Sequence, residues 1–118
     1  MVESVESTRL KAEAAVEAIH EGALLIDVRS EAGRSRDGEL QGAIVIAKPD
    51  VLHVLSERIR RVSDEQKIVI FCGSVKGSGP VVDTLTQAGF VGVYDVDGGF
   101  SALRDQGLSL IPRAAPAA

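Results

Sequence analysis

Residues 67–82 have the sequence KIVIFCGSVKGSGPVV, in which an apolar run ends on the only cysteine of the chain and is followed by glycines, serines and one lysine. The segment KIVIF is typical of a buried strand. After it, Pro80 fits the first turn of a helix that begins at Ser78 or Gly79. In open α/β sheets, ligands bind beyond the carboxyl ends of strands, where loops lead into helix amino termini. The stretch therefore predicts a strand, a glycine-rich loop and a helix, with Cys72 at the functional edge of a sheet.

The rest of the chain also alternates between apolar runs and amphipathic segments. These patterns predict strands at 23–28, 43–47 and 92–96, and helices at 7–20, 50–62 and 100–106, with Asp50 as the cap of the second helix. They also predict a long loop at 29–42 and a flexible carboxyl-terminal tail at 112–118. Strands that are apolar on both faces and separated by helices indicate a parallel sheet covered on both sides. The prediction is an α/β fold in a single domain at 1–118, with its core at about 7–107.

Composition argues against several classes of function. The 118 residues carry a net charge of −4 and no long basic stripe, so nucleic acid is not an expected partner. No apolar run approaches the roughly 20 residues that span a bilayer, and the amino terminus lacks the features of a signal peptide. A cytoplasmic protein without a membrane partner is expected, and a single cysteine fits such a reducing compartment. His20 and His53 lack Cys or His neighbours at ligand spacing, so a metal site is not expected. No other cofactor is expected either.

The segment CGSVKGSG suits Cys72 to reactions with anions. Its three glycines allow the backbone to turn several N–H groups inward, and the positive end of the following helix would help them to stabilise a thiolate. A nucleotide P-loop needs Gly-Lys-Ser or Gly-Lys-Thr, but Lys76 lies between valine and glycine. A cysteine phosphatase needs arginine at position 78, which is Ser78. The third chemistry of this kind is sulfur transfer, in which the thiolate becomes a persulfide.

Four motifs occur in an order and at a spacing that point to one family. They are LLIDVR at 24–29, DGELQGAIVI at 37–46, IVIFCGSVKGS at 68–78 and AGFVGVYDVDGGFSAL at 88–103. Together they resemble the rhodanese family, the single-domain sulfurtransferases, across about 7–107. The chain departs from the family pattern at Glu39 and Gln41, which replace histidine and proline, and at Leu103, where tryptophan is usual.

The resemblance implies a three-layer fold, with a central, mostly parallel sheet and helices on both faces, and a catalytic Cys72. It implies a small anionic sulfur donor such as thiosulfate, and a thiol, cyanide or protein as acceptor. The residues implied to bind the substrate are those of the loop, namely Gly73, Ser74, Val75, Lys76, Gly77 and Ser78. Many active members carry arginine at the positions of Gly73 and Gly77, so thiosulfate is expected to be a poor substrate here. The alternative is a non-catalytic module that carries sulfur or binds a protein; the oligomeric state is left open.

Charged residues outside the loop are assigned simpler roles. Asp27 and Arg29 are predicted to form a supporting ion pair, since buried charges must be paired. Arg34 and Arg36 are expected in solvent, unless the long loop folds over the site and brings one of them to it.

Small residues near the site have alternative roles. Ser74 and Ser78 could donate hydroxyl groups to the sulfur, although Ser78 also suits a helix cap. Gly98 and Gly99 are interpreted as a turn with no chemistry of their own.

Overall fold

The computed structural model describes residues 8–61, 63 and 65–111. The strands in these residues are β1 (Arg9–Leu10), β2 (Leu24–Asp27), β3 (Glu39–Leu40), β4 (Ile44–Val45), β5 (Ile68–Phe71), β6 (Val93–Val96) and β7 (Leu110–Ile111). The helices are α1 (Ala12–His20), α2 (Glu31–Asp37), α3 (Val51–Glu57), α4 (Val75–Gln87) and α5 (Gly99–Asp105), and a 3-10 turn covers Lys48–Asp50.

The main sheet is parallel and contains five strands in the order β1, β6, β5, β2, β4. β5 lies at its centre, where Ile68 is paired with Leu24 of β2 on one side and with Val93 of β6 on the other. β3 and β7 form a separate antiparallel ribbon. The predicted α/β fold is confirmed. Because parallel strands end at the same edge, the residues that follow β2, β4, β5 and β6 meet there.

The core lies on both faces of this sheet, which explains why its central strand is apolar throughout. All four residues of β5 are buried. Ile68 and Ile70 pack in one cluster with side chains of α3 and α4, while Val69 and Phe71 pack in another with side chains of α1 and α5. Alternate residues of a strand point to opposite faces, so a strand covered on both sides needs apolar residues at every position. In the described part of the chain, no helix combines the length and apolar character needed to cross a membrane.

Several predicted boundaries were wrong. The first helix begins at Ala12 instead of residue 7, because residues 9–10 form β1 and pair with β6; residue 7 lies outside the described residues. The predicted loop at 29–42 contains α2, whose first turn is capped by the Ser30 hydroxyl, which accepts from the Gly33 N–H at 3.2 Å. The Asp50 side chain makes no cap hydrogen bond, and α3 ends at Glu57. The end predicted for that helix, residue 62, and the tail at 112–118 also lie outside the described residues.

The helix after β5 begins earlier than predicted. It begins at Val75 rather than at Ser78 or Gly79, so Pro80 lies inside it and not in its first turn. Ser74 is the cap, and its hydroxyl accepts from the Lys76 N–H at 3.3 Å. The start of α4 therefore lies within the predicted loop, close to the cysteine.

Candidate functional site

Cys72 directly follows β5 at the carboxyl edge of the sheet and is partly buried. A Cβ atom on Gly77 would lie only 2.6 Å from the Cys72 Sγ and 3.1 Å from the Cys72 Cβ. The thiol therefore packs against the backbone of Gly77, in space that a side chain there would fill.

The first turn of α4 lies beside the thiol. The N–H groups of Lys76 and Gly77 donate to the Ser74 side chain and carbonyl, at 3.3 and 3.1 Å, so these two amides hold the turn together. α4 has 13 residues, and the amino terminus of a helix carries a partial positive charge that favours a nearby anion. The sulfur of Cys72 therefore lies next to the amino terminus of a long helix.

Lys48 is a site residue that sequence reasoning missed. It begins the 3-10 turn after β4, and its Nζ lies 3.2 Å from the position that a Gly77 Cβ would occupy. The Cys72 Sγ lies within 2.6 Å of the same position, so the ammonium and the sulfur are close neighbours. The sequence could have indicated Lys48, because it directly follows a predicted strand and the strands of a parallel sheet end at a common edge.

Gly99 and Phe100 hold the base of the loop. The Phe100 N–H donates to the Cys72 carbonyl at 2.9 Å. Gly99 has a φ of +59°, and a Cβ there would lie 2.6 Å from the same carbonyl oxygen, so glycine is required both by its backbone angle and by the close approach. Gly98 lies in a turn, as interpreted from the sequence, whereas Gly99 is the first residue of α5 and lies against the backbone of Cys72.

Asp27 and Arg29 form a buried ion pair behind the site. The Arg29 Nη2 lies 2.8 Å from the Asp27 Oδ2 and also donates to the Gly38 carbonyl at 2.8 Å. The guanidinium stacks over Phe100, with its Cζ 4.1 Å from the ring centroid. Only 3% of the Arg29 side chain and none of the Asp27 side chain is exposed. The pair therefore supports β2, α2 and α5 instead of facing a substrate.

Arg34 and Arg36 make their contacts near α2 and not at the thiol. Arg34 donates to the Arg29 carbonyl at 2.6 Å, and its Nε lies 3.7 Å from a Glu39 carboxylate oxygen. Arg36 bonds to the adjacent Asp37, and this hydrogen bond lowers the pKa of Asp37. The expectation of solvent exposure is wrong for Arg34, since only 14% of its side chain is exposed, and is confirmed for Arg36, whose side chain is 73% exposed. Both guanidinium groups bind at α2 and its surroundings.

Ser78 is tied to a buried carboxylate. Its hydroxyl donates to the Asp95 Oδ2 at 3.2 Å, and Asp95 also accepts from the Arg9 Nε at 3.0 Å. Ser78 and Asp95 are buried. These bonds connect the start of α4 to β6 and β1. The Ser78 hydroxyl therefore donates to Asp95 and not to the sulfur of Cys72. The cap role considered for Ser78 belongs to Ser74.

Within residues 8–61, 63 and 65–111, no group of three or more His, Cys, Asp and Glu side chains is arranged to hold a metal ion.

Comparison with known proteins identifies the family. The profile of the rhodanese-like domain matches residues 11–106, so the chain belongs to the rhodanese-like domain family, which includes sulfurtransferases and related modules. A search of curated proteins found no significant match.

Solved structures share the fold. The chain is similar to a rhodanese-like domain from Anabaena, at 21% identity and a TM-score of 0.72, covering 96% of this chain and 87% of that one. It is similar to a rhodanese-related protein from Thermoplasma volcanium, at 21% identity and a TM-score of 0.68, covering 92% and 100%. A Rhodopseudomonas palustris protein of unknown function, described as a possible tyrosine phosphatase, has 18% identity and a TM-score of 0.71, covering 93% and 98%. At these identities the likeness shows the fold alone.

Proposed function

We propose that this protein is a sulfurtransferase that carries sulfane sulfur on Cys72, taken from an anionic donor such as thiosulfate. The observation that carries the proposal is that a thiol, a helix amino terminus and an ammonium group lie close together around Gly77. The Cys72 Sγ lies against the Gly77 backbone, the amino terminus of α4 is adjacent, and the Lys48 ammonium reaches the same space. A thiolate and a donor anion are both stabilised by such surroundings.

Lys48 supplies a cation where the loop lacks arginine. Its Nζ lies 3.2 Å from the position of a Gly77 Cβ, so it occupies space into which a longer side chain at position 77 would extend. Lys76, in the first turn of α4, adds a second positive charge to this neighbourhood. An ammonium binds an anion as a point charge and lacks the planar fork of a guanidinium. The two lysines therefore favour binding of an anionic donor, with lower affinity than a pair of arginines would give.

The first half of the reaction loads the cysteine. The Cys72 thiolate attacks the outer sulfur of thiosulfate and a new S–S bond forms. The original S–S bond of thiosulfate breaks, and its electron pair leaves with sulfite. The outer sulfur keeps the negative charge that it carried in thiosulfate, now on the Cys72 persulfide beside the helix terminus and Lys48, and the charge of the attacking thiolate leaves with sulfite.

The second half returns the free thiolate. A nucleophile such as cyanide or a thiolate attacks the outer persulfide sulfur, the persulfide S–S bond breaks, and its electron pair returns to the Cys72 sulfur. Cyanide yields thiocyanate, and a small thiol or a protein thiol yields a new persulfide. A free thiol that must stay reduced suits the cytoplasm, which is the compartment we propose.

Phosphate-ester hydrolysis is a poorer fit to the same residues. Position 78 is serine, and its hydroxyl is bonded to Asp95, so the arginine fork that holds a phosphate is missing. A module that carries sulfur without rapid turnover is the second candidate, and it is favoured by glycine at positions 73 and 77, where many active relatives have arginine.

Intact mass spectrometry tests the proposal. Incubation with thiosulfate or polysulfide should add the mass of sulfur to the wild-type chain, and cyanide should remove it with formation of thiocyanate. Because Cys72 is the only cysteine, the added mass can be assigned to it, and Cys72→Ser is the matched control. Rapid loading with negligible thiocyanate turnover would identify the carrier module. A wild-type chain that gains no sulfur from either donor, or a Cys72→Ser variant that turns over normally, would contradict the proposal.

A further inference from the structure

A bidentate ion pair joins the edge strand β1 to its neighbour β6. The Asp95 Oδ1 accepts from the Arg9 Nε at 3.0 Å, and the Asp95 Oδ2 accepts from the Arg9 Nη2 at 3.2 Å. Arg9 is also the partner of Asp95 in the register of the two strands. Only 2% of the Asp95 side chain is exposed, whereas 46% of the Arg9 side chain is exposed. The guanidinium therefore pairs with a buried carboxylate while it remains in contact with solvent.

Two consecutive residues of α4 contact this ion pair. The Ser78 hydroxyl donates to the Asp95 Oδ2 at 3.2 Å, and Ser78 is fully buried. A Cβ atom on Gly79 would lie 3.4 Å from the Arg9 Nη2, so the guanidinium lies close to the backbone of the helix. The start of α4 is thereby attached to β1 and β6.

The residue before Ser78 is the one that contacts the thiol, since a Cβ atom on Gly77 would lie 2.6 Å from the Cys72 Sγ. The hydrogen bonds to Ser74 stay within the first turn of α4, so they hold the shape of the turn and not its place on the sheet. Apolar side chains further along α4 pack in the core, but apolar packing has no preferred direction, whereas a hydrogen bond has a defined distance and angle. The bond from Ser78 to the sheet is therefore a directional attachment one residue from the contact with the sulfur.

Stability alone does not account for a buried carboxylate at this place. The loss of hydration largely offsets the attraction within a buried ion pair, and hydrophobic residues of similar size often stabilise a fold equally well. We infer that the network of Ser78, Asp95 and Arg9 positions the start of α4 for sulfur transfer. It fixes the place of the Gly77 backbone against the Cys72 sulfur. This inference rests on the proposed function.

Single-turnover formation of the persulfide, followed by mass spectrometry, tests the role of the hydroxyl. Ser78→Ala should lower the rate at saturating thiosulfate by about tenfold, since a displacement of 1 Å can cost on the order of 100-fold and a smaller shift costs less. The half-saturating thiosulfate concentration should change less than the rate, because Lys48 is not part of the network. Ser78→Thr retains the hydroxyl and should recover most of the rate.

Ile26→Val is the control for lost stability. It removes one buried methyl group from β2, at a cost similar to that of one hydrogen bond, and makes no change in the network. This variant should form the persulfide at the wild-type rate. An equally slow Ile26→Val, or a Ser78→Thr as slow as Ser78→Ala, would overturn the positioning role.

A double-mutant cycle tests the link through Asp95. β6 separates β1 from β5, so a change at Arg9 reaches the cysteine through the network. Arg9→Gln should lower the rate of persulfide formation by about threefold, within the range that coupling through a hydrogen-bond network produces. In the Ser78→Ala background it should cause no further loss. An equal loss from Arg9→Gln in both backgrounds would show that the arginine does not act through Ser78, and would overturn the network.

NMR measures the position of the helix without any sulfur transfer. The position of a Gly77 Cβ lies 3.1 Å from the Cys72 Cβ, so the nuclear Overhauser effect between the Cys72 Hβ and Gly77 Hα protons should be strong in the wild type and in Ile26→Val. It should be weaker in Ser78→Ala. An unchanged signal or an unchanged rate in Ser78→Ala would overturn the inference. If the wild type gains no sulfur from any donor, the proposed function falls, whereas a weaker signal in Ser78→Ala would still show that the network places the helix.

Discussion

Gly77→Ala adds one methyl group at the point where the thiol contacts the helix. The new Cβ would lie 2.6 Å from the Cys72 Sγ, whereas ordinary non-bonded contacts are about 3.5–4.0 Å. The sulfur or the loop must therefore move by roughly 1 Å. Because the cysteine side chain turns only about χ1, relief of the contact moves the sulfur away from Gly77 and Lys48.

The variant should lose most of its activity while it stays folded. Overpacking of this kind costs about 1–3 kcal/mol, while alanine gains up to about 1 kcal/mol over glycine in a helix interior. The net change in the free energy of unfolding should therefore be a loss of about 0–3 kcal/mol. A displacement of about 1 Å at a reacting atom can lower the rate on the order of 100-fold. Thiocyanate formation from thiosulfate and cyanide measures the rate, and urea denaturation measures the stability.

Gly79→Ala is the matched control, two residues further along the same helix. There the nearest atoms to a new Cβ are the Arg9 Nη2 at 3.4 Å and the Asp95 Oδ2 at 3.8 Å. This variant should retain its activity and be as stable as the wild type or up to about 1 kcal/mol more stable. If Gly77→Ala matched Gly79→Ala in the rate of thiocyanate formation, the position of the thiol against Gly77 could not be part of the mechanism.

Three further perturbations test other parts of the site. Lys48→Ala and Lys76→Ala should each lower kcat/KM for thiosulfate by about five- to thirtyfold, and the loss should be smaller in high salt. Lys67→Ala is the control, because Lys67 precedes the amino-terminal end of β5, and it should leave kcat/KM unchanged. Equal kcat/KM in all three variants would refute the binding role of Lys48 and Lys76. Asp27→Ala leaves the buried Arg29 without its carboxylate and should lower the free energy of unfolding by about 3–5 kcal/mol; a loss below about 1 kcal/mol in urea would show that the pair is not a buried support. Ser78→Ala removes one hydrogen bond to the buried Asp95 and should cost about 1–2 kcal/mol; an unchanged urea midpoint would contradict that contact.

The central strand and the place of the cysteine were determined by local sequence. IVIF is apolar at four successive positions, as a strand covered on both faces requires, and the glycines and serines that follow it interrupt the run. The sequence therefore predicted β5 and located Cys72 at its carboxyl end. It misplaced the start of α4, because Pro80 suggested a first turn there, while the Ser74 cap set the boundary earlier.

Elements with weak local patterns were decided by tertiary contacts. β1 has only two residues and exists because β6 supplies its partner, so no periodicity could reveal it. α2 is short and polar, and it is held by the Ser30 cap and by the bond from Arg34 to the Arg29 carbonyl. In both cases the stabilising groups are hydrogen-bond partners and not a repeating apolar pattern.

The chemistry of the site was likewise divided between sequence and tertiary structure. The sequence predicted Cys72 as the nucleophile and located its glycine-rich surroundings, because these residues are consecutive. It did not show that the Lys48 ammonium lies near Gly77 and the sulfur, or that the Phe100 N–H donates to the Cys72 carbonyl, since these groups belong to separate strand–helix connections. The parallel sheet brings those connections to one edge, and the distances between their side chains are set only when the helices pack on its two faces.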